Sequence, residues 1–360
     1  MTSSVRFRRH YKHETLLRYS RRLGYGEVHI YTDNCTNLVA IVAIHSTKLG
    51  PAIGGCRCQY YENTSAAYKD ALRLGHMMTL KAAVSSLPHG GAKTVIIKPP
   101  HIENRPDYFR AFGDFIHQLN GRYITAIDVG TSTQDMSYIA ERTPYVVGMS
   151  KNNEDNNPSP YTALGVFRGI QAAVKYKLNR DSLSNVHVAI QGAGTVAYHL
   201  TKWLTKNGAR VTACDVKPEA LQKMVTDFHV ETIDANRIYD VNCDVFAPCA
   251  LGGTINLETI HRLKSKIVAG CANNQLAHRR YTRTLFKKNI LYAPDFVINS
   301  GGLIQAAMLY DYGNVDMVSH QIDKLYDTLL EIFSRSDKEK HTTTHIAESI
   351  AFERLARGKV

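Results

Sequence analysis

The stretch Gln191-Gly192-Ala193-Gly194-Thr195-Val196-Ala197 constrains this chain more than any other. It follows an apolar strand candidate, Val186–Ile190, and opens a segment with helical periodicity, Val196–Asn207. Glycine at 192 permits a tight turn, and glycine at 194 lets the backbone approach a pyrophosphate. The small Ala197 lets the helix pack closely on the strand. Unpaired N–H groups at the helix start then face the phosphates. The next strand candidate, Arg210–Cys214, ends at Asp215. A carboxylate there can accept from both ribose hydroxyls and repel a 2′-phosphate, which favours NAD over NADP. The expected cofactor-binding set is therefore Gly192, Ala193, Gly194, Thr195, Val196, Ala197 and Asp215.

Around this loop, strand and helix candidates alternate. Helices are expected over Ala163–Lys177 and Pro218–Phe228, and short strands over Val245–Ala247, Ile267–Ala269 and Ile290–Tyr292. That alternation predicts a parallel sheet covered on both faces. The first half carries strand candidates at Leu38–His45, Lys93–Ile97 and Tyr123–Ile127, with helices over Ser65–Val84 and Asp107–Asn120. Lys151–Pro160 is rich in Asn and Pro, lacks apolar periodicity, and reads as the domain boundary. Helices are expected again over Met317–Ser334 and Thr344–Arg357. The fold class expected is α/β with two domains, residues 1–150 and 151–319.

Composition excludes several classes. No apolar run reaches bilayer length, so no membrane partner is expected. The net charge is +12, and seven bases against one acid within residues 1–22 supply half of it. Leu16, Leu17, Tyr19 and Leu23 in that segment read as a first helix. With no helix-turn-helix, zinc finger or RNP motif, no nucleic-acid partner is expected. The seven cysteines form no CxxC pair and no metal-ligand spacing. They read as buried small hydrophobes in a reducing cytoplasm, with no metal.

Three polar groups stand out in the first half. Lys81 ends an apolar helix, Lys93 follows Gly90-Gly91 at the start of a strand, and Asp128 follows the strand Tyr123–Ile127. Each alone has a bland reading, as a surface charge or a turn residue. Together they suit oxidative deamination. That chemistry needs a cation for a carboxylate, a base that activates water, and a group that moves protons at nitrogen. A lysine partly desolvated, or near a second cation, has a lowered pKa and can act as that base near neutrality, and two lysines close together in a cleft would produce that effect.

The sequence resembles the Glu/Leu/Phe/Val dehydrogenases from about residue 37 to about residue 335. The resemblance is carried by Leu49-Gly50-Pro51-Ala52-Ile53-Gly54-Gly55, Met78-Thr79-Leu80-Lys81, Gly90-Gly91-Ala92-Lys93-Thr94, Asp128-Val129-Gly130-Thr131, Gly270-Cys271-Ala272-Asn273-Asn274-Gln275 and Ala293-Pro294-Asp295-Phe296-Val297-Ile298-Asn299-Ser300-Gly301-Gly302. It implies roles for matched positions. Lys81 would hold the substrate carboxylate, Lys93 would be the base acting through water, and Asp128 would exchange protons with the amine. Thr162, Asn273 and Asn299 would orient the nicotinamide end and its ribose. The implied fold is an N-terminal substrate domain, completed by helices at about 320–360, and a C-terminal Rossmann domain across a cleft. The implied protein is a cytoplasmic homo-oligomer, an octamer or a dimer. It would convert an apolar L-amino acid to the 2-oxo acid and ammonia.

The resemblance also places Ile53, Gly54, Ala126, Leu303 and Ala306 around the substrate side chain. Ala126 resembles the aliphatic enzymes, leucine above all. Leu303 resembles the aromatic ones, so phenylalanine or tryptophan is the competing substrate. Departures fall at His76-Met77, Pro88-His89, Ala92, Ile127, Thr195, Gln305, Met308 and Leu309. Those around Lys93 also admit a non-catalytic NAD- or amino-acid-binding relative.

Overall fold

The computed structural model describes residues 15–149, 157–314 and 316–358. Most of the basic head and most of the Lys151–Pro160 boundary lie outside the described residues. The chain divides into two compact units. One comprises residues 1–80, 88–156 and 358–360, and the other residues 81–87 and 157–357.

The first unit opens with helix α1 (Thr15–Arg22), followed by strands β1 (Glu27–Asp33), β2 (Leu38–Ser46) and β3 (Ala52–Gln59). Helix α2 (Thr64–Val84) leads to strand β4 (Gly90–Ile97). Helix α3 (Arg105–Gln118), strand β5 (Tyr123–Ile127) and helix α4 (Thr133–Ala140) complete it. The sheet order is β1-β2-β4-β3-β5. β1 and β2 run antiparallel, as do β2 and β4, whereas β3 is parallel to both β4 and β5.

Alternation along the strands divides their side chains between two faces. Ala52, Cys56 and Cys58 of β3, Ala92 and Ile96 of β4, and Tyr123 of β5 pack on Phe109, Phe112, Phe115 and Ile116 of α3. Each fully buried aromatic or branched side chain there contributes about 1.5–3 kcal/mol. Val95 and β2 residues Ile41 and Ala43 face the other way, onto Ala67, Ala71 and Leu72 of α2. Lys93, two residues before Val95, shares this second face.

The second unit follows with helix α5 (Ser159–Leu178), strand β6 (His187–Gln191), helix α6 (Thr195–Lys206), strand β7 (Arg210–Cys214), helix α7 (Pro218–Phe228) and strand β8 (Glu231–Thr232). After a short 3-10 turn come β9 (Val245–Pro248), β10 (Ile267–Val268), α8 (Tyr281–Lys287), β11 (Leu291–Tyr292) and α9 (Asp295–Ile298). Helices α10 (Gly301–Tyr312), α11 (Asp316–Glu339) and α12 (Thr343–Arg357) end it. The sheet order is β11-β10-β9-β6-β7-β8, parallel at every recorded pairing. Counted from β6, this is the doubly wound order 3-2-1-4-5-6, whose reversal lies at β6, the strand that feeds the glycine turn.

The C-terminal helices group with the second unit. α11 runs along α5 and α12 packs on α11. They also take up the end of α2. Arg354 Nη1 donates to the Ala83 and Val84 carbonyls at 3.1 and 2.5 Å, and Gln321 Nε2 donates to the Ser85 carbonyl at 3.0 Å. These bonds add side-chain donors to carbonyls at the helix end, where intrahelical N–H partners run out. They explain why residues 81–87, Lys81 among them, group with the second unit.

Candidate active site

In the first unit, strand register assembles a charged cluster on the α2 face. Ile53 pairs with Gly91 and Cys56 with Thr94, so Gly55 lies beside Lys93. Gly55 also pairs with Ala126, two residues before Asp128. Lys93 therefore reaches across a residue with no side chain, and its Nζ lies 2.8 Å from Asp128 Oδ2. A Cβ at Gly55 would lie 2.8 Å from the Asp128 Cβ and 3.2 Å from the Lys93 Nζ. Lys93 is 6% exposed.

Asp128 has a second cation. Arg57 Nε donates to the same Oδ2 at 3.0 Å, and its Nη1 donates to Asp70 Oδ2 on α2, also at 3.0 Å. Burial by itself raises the Asp128 carboxyl, but Lys93 and Arg57 outweigh it and hold it below the usual range. The Asp128 backbone is pinned by Thr131, whose Oγ1 accepts from the Asp128 N–H at 2.9 Å. Gly55 and Arg57 are site residues that motif reading missed. Both lie on β3, and strand register is the signal that finds them.

Of the expected pocket residues in this unit, Ile53 is fully buried and Ala126 half-buried. Gly54 accepts at its carbonyl from Tyr123 Oη at 2.8 Å. In the second unit, Leu303 is buried and Ala306 half-buried, both on α10.

The glycine turn of the second unit has two unlike glycines. Gly192 has φ +102° and is pressed against Ala250, where a Cβ would meet backbone at 2.8 Å. Gly194 has an ordinary φ of −70°, and a Cβ there would meet nothing within 4 Å. Protein packing therefore requires glycine at 192 only, while at 194 it leaves open space at the start of α6. The first helical bond recorded there runs from Tyr198 N–H to the Gly194 carbonyl. The N–H groups of Thr195, Val196 and Ala197 precede it, as an anion site at a helix start requires. Ala197 is 1% exposed, which is the close helix–strand contact its size allows. Asp215 lies over the turn, where its Oδ2 accepts from Ala193 N–H at 2.6 Å and its Oδ1 from Lys217 N–H at 2.8 Å. The residues present fit a dinucleotide.

A second polar group in this unit is built on Asn299. Its Oδ1 accepts from Lys81 Nζ at 2.6 Å. Its Nδ2 donates to Asn273 Oδ1 at 2.8 Å and to the Cys271 carbonyl at 3.1 Å. Thr162 Oγ1 donates to the Pro158 carbonyl at 3.0 Å, and a Cβ at Gly302 would lie 2.8 Å from that Oγ1. Asp295, also missed by motif reading, accepts from the N–H groups of Gln275 and Phe296. Burial raises its carboxyl, against those bonds and the charge of Lys81.

The expectation of buried cysteines needs correction at three positions. All seven cysteines are free, but Cys35 is exposed and Cys249 and Cys271 are half-buried. The last two stand just beyond β9 and β10, where loop geometry leaves side chains partly open. No group of three metal-ligating side chains occurs among the described residues. No helix among them is long and apolar enough to cross a membrane.

Comparison with known proteins follows the same division. Residues 26–145 match the family described as Glu/Leu/Phe/Val dehydrogenase, dimerisation domain. Residues 215–358 match Glutamate/Leucine/Phenylalanine/Valine dehydrogenase. Leucine dehydrogenase of Bacillus cereus is 45% identical over 343 residues, covering 95% of this chain and 93% of its own. Phenylalanine dehydrogenase of Caldalkalibacillus thermarum is 42% identical over 337 residues, covering 92% and 91%. The crystal structure of L-tryptophan dehydrogenase from Nostoc punctiforme superposes with a TM-score of 0.85 at 39% identity, covering 95% of this chain and 99% of that one.

Proposed function

Because the chain belongs to the Glu/Leu/Phe/Val dehydrogenase family, we propose that it oxidatively deaminates an apolar L-amino acid, leucine first, with Lys93 as the base. It is an NAD-dependent amino-acid dehydrogenase acting on the CH–NH2 group. Amino acid, NAD and water give the 2-oxo acid, ammonium, NADH and a proton. Bound NAD supplies the acceptor for the α-hydrogen. Lys81 holds the substrate carboxylate. Asp128 takes a proton from the substrate ammonium, so that the nitrogen lone pair can follow the departing hydride. Lys93 removes a proton from the water that attacks the resulting iminium. A base in this position contributes about 10²–10⁴-fold.

The observation that carries this reading is the Lys93–Asp128 contact of 2.8 Å over Gly55, with Lys93 almost wholly buried. Burying a lysine–carboxylate pair carries a desolvation cost, and such charge clusters concentrate at functional sites. Asn273, Asn299 and Thr162 orient the nicotinamide end, and Gly192 to Ala197 with Asp215 hold the rest of the cofactor. Ile53, Gly54, Ala126, Leu303 and Ala306 line the side-chain pocket. A methylene or two in such a pocket changes selectivity by roughly 10- to 200-fold.

The test follows NADH absorbance with a panel of L-amino acids, then repeats it with Lys93→Ala. Turnover with leucine that falls at least about a hundredfold in the variant supports the proposal. Turnover that survives the substitution rejects Lys93 as base. A preference for phenylalanine or tryptophan would assign the pocket to the aromatic relatives. NAD binding without turnover on any amino acid would make the chain a non-catalytic relative. The chain also forms a homo-oligomer through residues within 26–145, in line with the description of the family matched there. Sedimentation at equilibrium measures this, and a monomer mass would reject it.

A further inference from the structure

We infer that Arg57 is a positioning residue that keeps Lys93 able to lose its proton while it is paired with Asp128, an inference that rests on the reading of Lys93 as base. The difficulty it resolves is plain. A carboxylate at hydrogen-bond distance stabilises an ammonium, which is the opposite of what a base near neutrality needs. A second cation on the same carboxylate offsets that effect. The structure supplies one, because Arg57 Nε lies 3.0 Å from the very oxygen, Asp128 Oδ2, that Lys93 contacts at 2.8 Å.

The guanidinium suits this task for three reasons. It keeps its charge at every working pH, so it never competes as a base. Its planar fork spans two acids at once, Asp128 through Nε and Asp70 through Nη1. Asp70 in turn is fixed by Arg73 Nη2 at 2.7 Å and Tyr61 Oη at 2.8 Å. Arg57 thus cannot swing away from Asp128 without breaking its bond to an anchored carboxylate. The side chains of Arg57, Asp70 and Asp128 are about one-fifth exposed or less, so solvent screens them only partly.

The other titratable groups acting on the pair stay neutral. Cys56, on β3, feels both Asp128 and Lys93, and burial pushes its thiol up to about 12. Tyr123, on β5, is pushed up further by burial. Tyr61 is raised as well, by burial and by Asp70. Asp128 is held below the usual carboxylate range, so a pH dependence between about 6 and 10 that differs among variants of this cluster reports on Lys93. The substrate's own ammonium titrates alike in every variant.

The test is the pH profile of kcat/KM for L-leucine and NAD with the full-length protein and three variants. Arg57→Gln leaves Asp128 to Lys93 alone. The acid limb should move up by about one pH unit, which is about tenfold in rate on that limb, while the alkaline plateau recovers to within about threefold. Asp70→Asn removes the acid that shares the guanidinium, and the limb should move down. Opposite shifts from two members of one network are not what a scaffold defect produces, since that lowers the whole profile evenly. An unmoved limb in Arg57→Gln, or an upward shift in Asp70→Asn, overturns the inference. Should Arg57→Gln fail to fold, the direction in Asp70→Asn decides. Lys93→Ala separates the two levels. Full activity there rejects the base itself, whereas an inactive Lys93→Ala beside an unshifted Arg57→Gln rejects only the role of Arg57.

Discussion

Lys81 Nζ donates a 2.6 Å hydrogen bond to Asn299 Oδ1 across 218 residues of sequence. The Asn299 amide is then used at its other end too, on Asn273 Oδ1 and the Cys271 carbonyl. Both of its ends are committed, so the amide has one orientation, and it ties the proposed carboxylate cation to the proposed nicotinamide contact. A hydrogen bond to a charged group is worth about 1.5–3 kcal/mol, or roughly 10- to 150-fold. In Asn299→Ala, the KM for the amino acid and the KM for NAD should both rise at least about tenfold. Steady-state kinetics with each substrate varied in turn checks this. A rise confined to one of them would break the link.

Gly55 sets the reach of Lys93. In Gly55→Ala, the new methyl would lie 2.8 Å from the Asp128 Cβ and 3.0 Å from the Ile127 carbonyl oxygen. The methyl has to displace Asp128, since the backbone of β3 is held by strands on both sides. A displacement near 1 Å at a reacting group costs about a hundredfold. The expected result is a kcat/KM lowered by about that factor with unchanged NAD affinity, measured by kinetics and a fluorescence titration. A kcat/KM within threefold of the parent would mean that the contact over Gly55 does not govern catalysis.

The same strand explains what the sequence did and did not reveal. β6, α6, β7 and α7 lie within a residue or so of expectation, because their apolar periodicity and glycine punctuation agree. β3 went unread. Its Ala-Ile-Gly-Gly-Cys-Arg-Cys-Gln combines two glycines with an arginine, weak strand formers whose place is decided by neighbours. β1 also went unread, as it is a polar strand at the sheet edge with little burial to mark it. α10 is apolar on all sides, so no stripe betrays it. Lys93 and Asp128 were legible from motifs. Their partner Arg57 was not, since a contact between β3, β4 and β5 exists only once register is known. The residue pattern suggests a second lysine as the neighbouring cation, whereas the second cation on Asp128 is Arg57.

The two glycines of the cofactor turn should behave oppositely. Gly192→Ala imposes φ +102° on a residue with a side chain and drives its Cβ into Ala250. That strain costs on the order of 1–3 kcal/mol, so the protein without cofactor should melt several degrees lower. Gly194→Ala meets no protein atom and keeps an ordinary φ, so melting without cofactor should not change. Its methyl enters the space proposed for the pyrophosphate, and NAD affinity should fall at least about tenfold, near 1.4 kcal/mol. Melting curves with and without NAD measure both effects. Normal NAD binding by Gly194→Ala would place the phosphates elsewhere.

Two histidines should make the fold sensitive to mild acid. His187 of β6 bonds Thr212 Oγ1 at 2.8 Å and the Asn242 carbonyl at 3.1 Å. Burial, and then the charge of Arg210, lower its pKa. His45 of β2 bonds Thr79 Oγ1 and the Leu23 carbonyl, and burial lowers its pKa likewise. In both, the folded state binds a proton less readily than the unfolded chain. The stability they lend is therefore complete above the unfolded value of about 6.5, and is lost as pH falls through the lower folded value. The melting temperature should drop between about pH 6.5 and 5, before the carboxylates titrate. His187→Gln keeps a polar side chain but cannot take up the proton, so the slope of melting temperature against pH should flatten in that window. An equally steep slope in His187→Gln and His45→Gln would assign the acid sensitivity to other groups.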